Sequence, residues 1–359
     1  MNTNLDEKQT LKIAFVDFWE LSPQEKGLYF SIFKKYFKII EDPKKPDILF
    51  YSCFGEDHLK YHNCIKIFYS GENIVPDFNI CDYAISTVKI KYDDRCLWIP
   101  QAHWASHLAK DIQPEINNNL TNRSFCSFIY SQDSYGKGAK FRKYFCEQLM
   151  KIYKKVDCPG KILHNMESSL LSNRYNINNW HESKIEFLKN YKFNIAFENS
   201  EAPGYITEKL VDCYMANTVP IYWGSAGNVY PYPKQSMICA NDYPSINALI
   251  ERIREVDQDD NLYLSILKAN PFRKENSFQL PDFQEQIYSF VYKIATASHD
   301  NENKPAPMTD AFRCHIYKKI LNKPIIKAVL HIERLIHKLK SDIKKFRVRS
   351  IKFLKYPFK

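Results

Sequence analysis

The sequence is poor in several features that would point to a particular class of protein. It has only 9 glycines among 359 residues, so a glycine between an apolar run and a helical pattern carries more meaning than usual. None of its 10 cysteines forms a CxxC pair, so the spacing typical of a zinc site is absent. Their even number permits disulfides, but thiols scattered through apolar runs favour buried, reduced cysteines.

Long apolar segments are also missing. The first ten residues, MNTNLDEKQT, lack the apolar core of a secretory signal. No run approaches the ~20 apolar residues that a membrane-spanning helix needs. From these two absences we expect a cytoplasmic protein.

Positive charge is concentrated at one end of the chain. Residues 312–359 hold 15 Lys/Arg and 2 Asp/Glu, which contribute +13 to the total of +10 and leave −3 for the rest. The high pI therefore results from the charge of residues 312–359 and not from the rest of the chain. We expect no nucleic-acid partner.

The rest of the chain has the pattern of two α/β domains. Its length and its 45% of hydrophobic residues are sufficient for two cores. Strand-length apolar runs alternate with helical spacings, which is typical of parallel, doubly wound sheets. We predict one domain over residues 1–120, a second over 121–300, a linker near 111–123, and a hinge with a basic helical tail over 301–359.

Local patterns predict the elements on either side of the linker. We expect a helix over residues 29–40 and a strand over residues 125–130. That strand should lead into a loop containing Gly136 and Gly138, followed by a helix with Arg142 near its start.

The most informative stretch is YKFNIAFENSEAPGYITEKLVDCYMANTVPIYWGS, residues 191–225. It predicts a strand, a loop broken by Pro203 and Gly204, a helix and a second strand. Lys209 falls in the first turn of that helix, where the helix dipole disfavours a cation by roughly 0.3–1 kcal/mol. A bound anion would explain the lysine, although a solvated side chain on an ordinary helix is an equally good interpretation of the spacing alone.

This stretch closely resembles the signature of the α-1,3/1,4-fucosyltransferases of bacterial type, which use GDP-fucose. The resemblance covers FENSEAPGYITEKLVDCYMANTVPIYWGS and, more weakly, FYSGEN at residues 68–73 and FRKYF around Arg142. It implies the GT-B architecture, in which two Rossmann-like domains face a cleft, the first binding the acceptor and the second binding GDP-fucose. The implied reaction is inverting transfer of L-fucose to N-acetylglucosamine in a lactosamine-type glycan, most readily with α-1,3 linkage, for surface glycan synthesis.

The resemblance also implies roles for individual residues. Glu72, at the end of a predicted strand, would be the catalytic base. Glu198 should point away from Asn199, because side chains alternate along a strand. Arg142 and Lys209 would bind the diphosphate, Glu208 the ribose hydroxyls, and Tyr205 and Asn199 the nucleotide or the fucose.

No cofactor is expected to be required, since two cations would already face the diphosphate; stimulation by a divalent metal is left open. The acidic run Asp257, Asp259 and Asp260 superficially resembles a metal-binding DxD motif. Its position after a helix favours a solvated helix end instead, and Asp93–Asp94 is interpreted in the same way.

The basic tail combines charge with an apolar seam. Apolar residues recur at steps of four and three along one helix face: Ile325, Val329, Ile332, Ile336, Leu339, Ile343 and Phe346. An amphipathic helix on an anionic membrane surface and a short coiled coil both fit, and we favour a peripheral position in the cytoplasm at the inner face of the membrane. Two other functions are left open for the whole chain: a GT-B transferase with another nucleotide sugar, and an inactive membrane-bound scaffold.

Overall fold

Two parallel sheets organise the chain. The computed structural model describes residues 10–18, 34, 37–103, 119–133, 136–171, 180–273, 276 and 281–297, and single positions 324, 325, 328, 332 and 335. The first sheet has the strand order β2-β1-β3-β4-β5-β6 and the second has the order β10-β9-β8-β7. The predicted α/β class, with a parallel sheet in each of two domains, is confirmed.

The elements are numbered along the described residues. The first sheet contains β1 (Thr10–Val16), β2 (Lys38–Glu41), β3 (Ile48–Tyr51), β4 (Ile65–Ser70), β5 (Tyr83–Ser86) and β6 (Cys96–Trp98). The second contains β7 (Ser124–Ser127), β8 (Tyr191–Phe197), β9 (Val219–Trp223) and β10 (Ile238–Cys239). The helices are α1 (Gly136–Ile152), α2 (Trp180–Leu188), α3 (Glu208–Met215), α4 (Ile246–Gln258), α5 (Asp260–Lys268) and α6 (Phe283–Ala297).

Strand β8 is the centre of the second domain. All seven of its residues are buried, because helices cover both faces of the sheet. Phe193 and Phe197 face one core, where Phe141 and Phe145 of α1 stack on Phe197. Ala196 faces the other core, which α2 and α3 complete. Because side chains alternate along the strand, a residue that follows it faces either α1 or the side of α2 and α3.

Helix α6 does not belong to the domain in which the sequence placed it. Its buried residues pack into the core of the first sheet, with Phe283 edge-on to Trp98. Lys293 of α6 also forms an ion pair with Asp94. The predicted second domain, 121–300, therefore includes a helix that packs on the sheet of the first domain. The apolar stripe of α6 specifies burial but not the sheet against which it is buried.

Three local predictions need correction. Residues 38–40, expected to be helical, lie in β2, which pairs in parallel with β1, starting with Lys38 opposite Thr10. The predicted strand over 125–130 is shorter, since β7 ends at Ser127. Gly136 and Gly138 lie in the first turn of α1 rather than in a loop before it. Gly138 is needed there because a Cβ atom would lie 2.5 Å from the carbonyl oxygen of Glu198.

The acidic run after α4 has structural partners. Asp257 is buried rather than solvated, and its carboxylate lies 2.9 Å from Lys192 Nζ. Asp259 caps α5 by accepting hydrogen bonds from the backbone N–H groups of Asn261 and Leu262. These contacts explain both carboxylates without a metal.

Few residues of the tail fall within the described part of the chain. Positions 324, 325, 328, 332 and 335 are helical, whereas most of the predicted apolar seam lies outside the described residues. None of the helices in the described ranges is long and apolar enough to cross a bilayer. The nine cysteines of the same ranges are free thiols, most of them buried.

Candidate functional site

A cleft of about 800 Å³ lies between the two sheets, at the carboxyl ends of their strands. In parallel α/β sheets this edge is where ligands bind. All six residues predicted for the site line the cleft: Glu72, Arg142, Asn199, Tyr205, Glu208 and Lys209. Glu72 lies in the first domain and the other five residues lie in the second, so the fold brings the predicted residues together around one cleft.

The two residues that follow strand β8 lie on opposite sides, as predicted. Glu198 continues the face that meets α3, and its carboxylate accepts hydrogen bonds from the backbone N–H and the hydroxyl of Thr207. Asn199 lies on the α1 side, where its side-chain oxygen accepts a hydrogen bond of 2.7 Å from Arg142. Glu198 therefore supports the start of α3, and Asn199 holds Arg142 in position.

Arg142 is a cation that the protein holds but does not neutralise. Its residue is only 3% exposed, and its guanidinium lies 3.8 Å above the ring of Tyr130. Its hydrogen bonds go to the side-chain oxygen of Asn199 and the carbonyl of Gln132, both uncharged. Within the described ranges no carboxylate forms an ion pair with it, and its Nε atom is buried without a partner. Burial lowers the pKa of Arg142. A buried cation beside a cleft, hydrogen-bonded only to neutral acceptors, favours an anionic ligand.

Lys209 has a different environment from the one the sequence suggested. Its Nζ lies 3.2 Å from the carboxylate of Glu198 and 3.4 Å from that of Glu208. Desolvation alone would lower the pKa of Lys209, but these two carboxylates outweigh it and raise the pKa. The protein itself therefore supplies compensating negative charge in this turn, and with its side chain 12% exposed Lys209 is not the solvated lysine of the alternative interpretation.

Glu208, in the first turn of α3, remains ionised and can accept hydrogen bonds. Burial opposes ionisation, but Lys209, Lys184 and His181 outweigh it and hold the pKa of Glu208 at about 2. Its backbone N–H donates to the side-chain oxygen of Gln101 from the first domain, at 2.9 Å. The carboxylate can thus accept hydrogen bonds from ligand hydroxyls at any physiological pH.

The loop before α3 is fixed against the first domain. Trp98 Nε1 donates to the carbonyl of Gly204, and the backbone N–H groups of Lys89 and Ala102 donate to the carbonyls of Pro203 and Ile206. Gly204 has a φ of +73°, and a Cβ atom there would lie 2.5 Å from Trp98 Nε1. This close approach explains why a glycine follows the proline.

Glu72 reaches the same cleft from the first sheet. It follows β4, and its backbone N–H donates to Ser70 Oγ at 3.0 Å. Its carbonyl accepts a hydrogen bond from Thr87 Oγ1 at 3.0 Å. The main chain is therefore held on both sides, while the side chain is exposed to the cleft.

Several residues that line the cleft were not predicted from the sequence. Tyr130 lines it beneath Arg142, and Trp180 and Lys184 line it from α2. Lys184 is paired with the buried Asp212 at 2.7 Å. Trp180 and Lys184 lie on the helix directly before β8, and the sequence does not specify which face of that helix meets the cleft.

Comparison with known families gives two matches that together cover most of the chain. Residues 13–104 match the family model described as the alpha-(1,3)-fucosyltransferase FucT N-terminal domain. Residues 125–304 match the model described as glycosyltransferase family 10 (fucosyltransferase) C-term. The gap between the matches coincides with the boundary between the two sheets.

Individual relatives agree with these matches. Alpha-(1,3)-fucosyltransferase FucT of Helicobacter pylori is 28% identical over 364 residues, which is 88% of this chain and 70% of that protein. The human 4-galactosyl-N-acetylglucosaminide 3-alpha-L-fucosyltransferase 9 is 37% identical over 103 residues, 28% of each protein. A crystal structure of an alpha1,3-fucosyltransferase with GDP-fucose superposes with a TM-score of 0.61 and 25% identity, covering 82% of this chain and 93% of that one.

Proposed function

We infer that this chain, which belongs to glycosyltransferase family 10, the fucosyltransferases, moves L-fucose from GDP-fucose to N-acetylglucosamine in a lactosamine-type glycan. An α-1,3 linkage is supported by the names of the relatives in Helicobacter pylori and in humans. The observation that carries the proposal is the buried guanidinium of Arg142, which faces a GT-B cleft with only neutral hydrogen-bond acceptors. A diphosphate would supply the missing negative charge.

Arg142 and Lys209 would stabilise the leaving diphosphate in different ways. Arg142 offers a planar pair of N–H donors, which suits two phosphate oxygens, and Lys209 adds a point charge at the first turn of α3. Both are fixed before the donor arrives, so that little reorganisation accompanies the build-up of charge on GDP. With two cations in place, we propose that no metal is required.

The remaining donor contacts follow from the position of each group. Glu208 is ionised and would accept hydrogen bonds from the ribose hydroxyls. Asn199, fixed by Arg142, and Tyr205, buried in the wall of the cleft, would contact the nucleotide or the fucose.

Glu72 would act as the general base from the opposite side of the cleft. The acceptor hydroxyl oxygen forms a bond to C1 of fucose while the bond from C1 to the diphosphate oxygen breaks. The hydroxyl proton passes to Glu72, and the negative charge departs on GDP. A single displacement of this kind inverts the configuration at C1.

Incubation with GDP-fucose and two disaccharides tests the proposed function. The type 2 acceptor has a free 3-hydroxyl on N-acetylglucosamine, and the type 1 acceptor has a free 4-hydroxyl. We expect α-1,3-fucosylated product from the type 2 acceptor, and none when a UDP-sugar replaces GDP-fucose. Transfer from a UDP-sugar, or no transfer from either donor, would contradict the proposal and favour another transferase or a scaffold.

We further propose that the basic tail places the enzyme on the inner face of an anionic membrane, near acceptors for surface glycans such as Lewis-type structures. The support is its charge of +13 over residues 312–359 and the apolar seam of its sequence. Deleting residues 312–359 should shift the protein from the membrane fraction to the soluble fraction. An unchanged membrane-bound fraction would exclude the tail as the anchor.

A further inference from the structure

The first-domain wall of the cleft differs in character from the second-domain wall. Opposite the charged donor residues it presents an aromatic ring, Phe54, and a branched aliphatic side chain, Ile74. We propose that Phe54 and Ile74 form an apolar platform that binds the acceptor saccharide beside Glu72, and this inference rests on the proposed function.

The topology places this platform next to the base. Phe54 follows β3 and Glu72 follows β4, and these neighbouring parallel strands pair up to the register Tyr51–Phe68. Cys53 Sγ lies 3.2 Å from Ser70 Oγ, the same hydroxyl oxygen that accepts the backbone N–H of Glu72. The loop carrying Phe54 and the loop carrying Glu72 are therefore joined through one serine.

Phe54 is held in an exposed position by a rigid loop. Its backbone N–H donates to the carbonyl of Asp17 at 3.0 Å. The buried carboxylate of Asp17 accepts hydrogen bonds from the backbone N–H groups of Asp57 and His58, at 2.9 Å each, and lies 2.7 Å from His58 Nδ1. A Cβ atom on Gly55 would lie 2.2 Å from Asp17 Oδ1, so the loop fits closely around the carboxylate. Phe54 as a residue is nevertheless 45% exposed, and Ile74 is 40% exposed.

Saccharide chemistry identifies the ligand class. A pyranose ring has an apolar face of C–H groups and a polar edge of hydroxyls, so it fits a surface where an aromatic ring lies beside polar groups. The hydroxyl to be fucosylated must reach Glu72, which leaves the adjacent wall for the rest of the acceptor. The second-domain wall, with its two cations, suits the diphosphate rather than a neutral sugar.

Steady-state kinetics of Phe54→Ala with the type 2 disaccharide tests the platform. We expect the acceptor KM to rise about tenfold, which corresponds to ~1.4 kcal/mol. The KM for GDP-fucose and the rate of GDP-fucose hydrolysis without acceptor should stay unchanged. Phe54→Tyr, which keeps the ring, should restore an acceptor KM close to that of the wild type. Tyr144→Ala, which removes an exposed ring on α1 away from the cleft, is the matched control and should have no effect.

The outcomes separate this inference from the proposed function. Failure of the wild-type protein to transfer fucose would overturn both. Normal wild-type transfer together with an unchanged acceptor KM in Phe54→Ala would overturn the platform alone. Ile74→Ser provides the same readout if Phe54→Ala does not fold, and an unchanged acceptor KM in Ile74→Ser would then count against the platform.

Discussion

Glu72→Gln is expected to lower kcat for fucosyl transfer by about 10²–10⁴-fold, the usual contribution of a general base. Glutamine keeps the shape of the side chain but cannot take the hydroxyl proton. The backbone hydrogen bonds to Ser70 and Thr87 do not involve the carboxylate, so the loop should keep its position. The dissociation constant for GDP should remain within about twofold, because Glu72 lies on the wall opposite the donor residues.

Two measurements on the same preparation make this result decisive. Calorimetric titration with GDP shows whether the donor site is intact, and a transfer assay shows whether chemistry is lost. Glu147→Gln, a change of the same chemistry at an exposed position on α1, should affect neither. Full turnover by Glu72→Gln would remove Glu72 as the base, and a parallel loss of GDP binding would make its role structural.

Lys209→Met should weaken both GDP binding and the fold. Loss of one charge-assisted contact to the diphosphate is expected to lower GDP affinity by roughly 10–100-fold. The free energy of unfolding should fall by ~3 kcal/mol at neutral pH, because the variant leaves the fully buried Glu198 without its cationic partner.

The stability loss should depend on pH in a defined direction. Burial raises the pKa of Glu198 in the folded protein, and removal of Lys209 raises it further. A carboxyl with a raised folded pKa carries no penalty below its unfolded pKa of about 4.3, and the penalty grows as pH rises through the folded pKa. Urea unfolding should therefore show a larger deficit at pH 8 than at pH 5.

The double variant Lys209→Met with Glu198→Gln separates the two roles of the lysine. Neutralising Glu198 removes the unpaired charge, so most of the lost stability at pH 8 should return. GDP affinity should stay low, because the cation is still missing. Recovery of GDP binding in the double variant would show that Lys209 acts only by supporting Glu198.

The parts of the fold that could be predicted are those that depend on local periodicity. Strand β8 was recognised from its apolar residues, and alternation correctly separated Glu198 from Asn199. The loop residues Pro203 and Gly204 correctly predicted a helix after them, which begins at Glu208 and is capped by Thr207. These features need no information from distant parts of the chain.

The parts that failed depend on contacts between distant segments. The partners of Lys209 come from the end of β8 and from the first turn of α3, so a cation that looked unfavourable in its helix is neutralised by tertiary structure. The docking of α6 on the first sheet has no signature in its own residues beyond an apolar stripe. Conversely, the sequence shows Arg142 on a helix that also carries Lys137, Lys140 and Lys143, and its burial distinguishes it from them.

A crystal structure of the complex with GDP would show where the diphosphate binds. We predict diphosphate oxygens within hydrogen-bond distance of both the Arg142 guanidinium and Lys209 Nζ, with the ribose hydroxyls at Glu208. GDP bound at another place, with the cleft between the two sheets empty, would contradict the account.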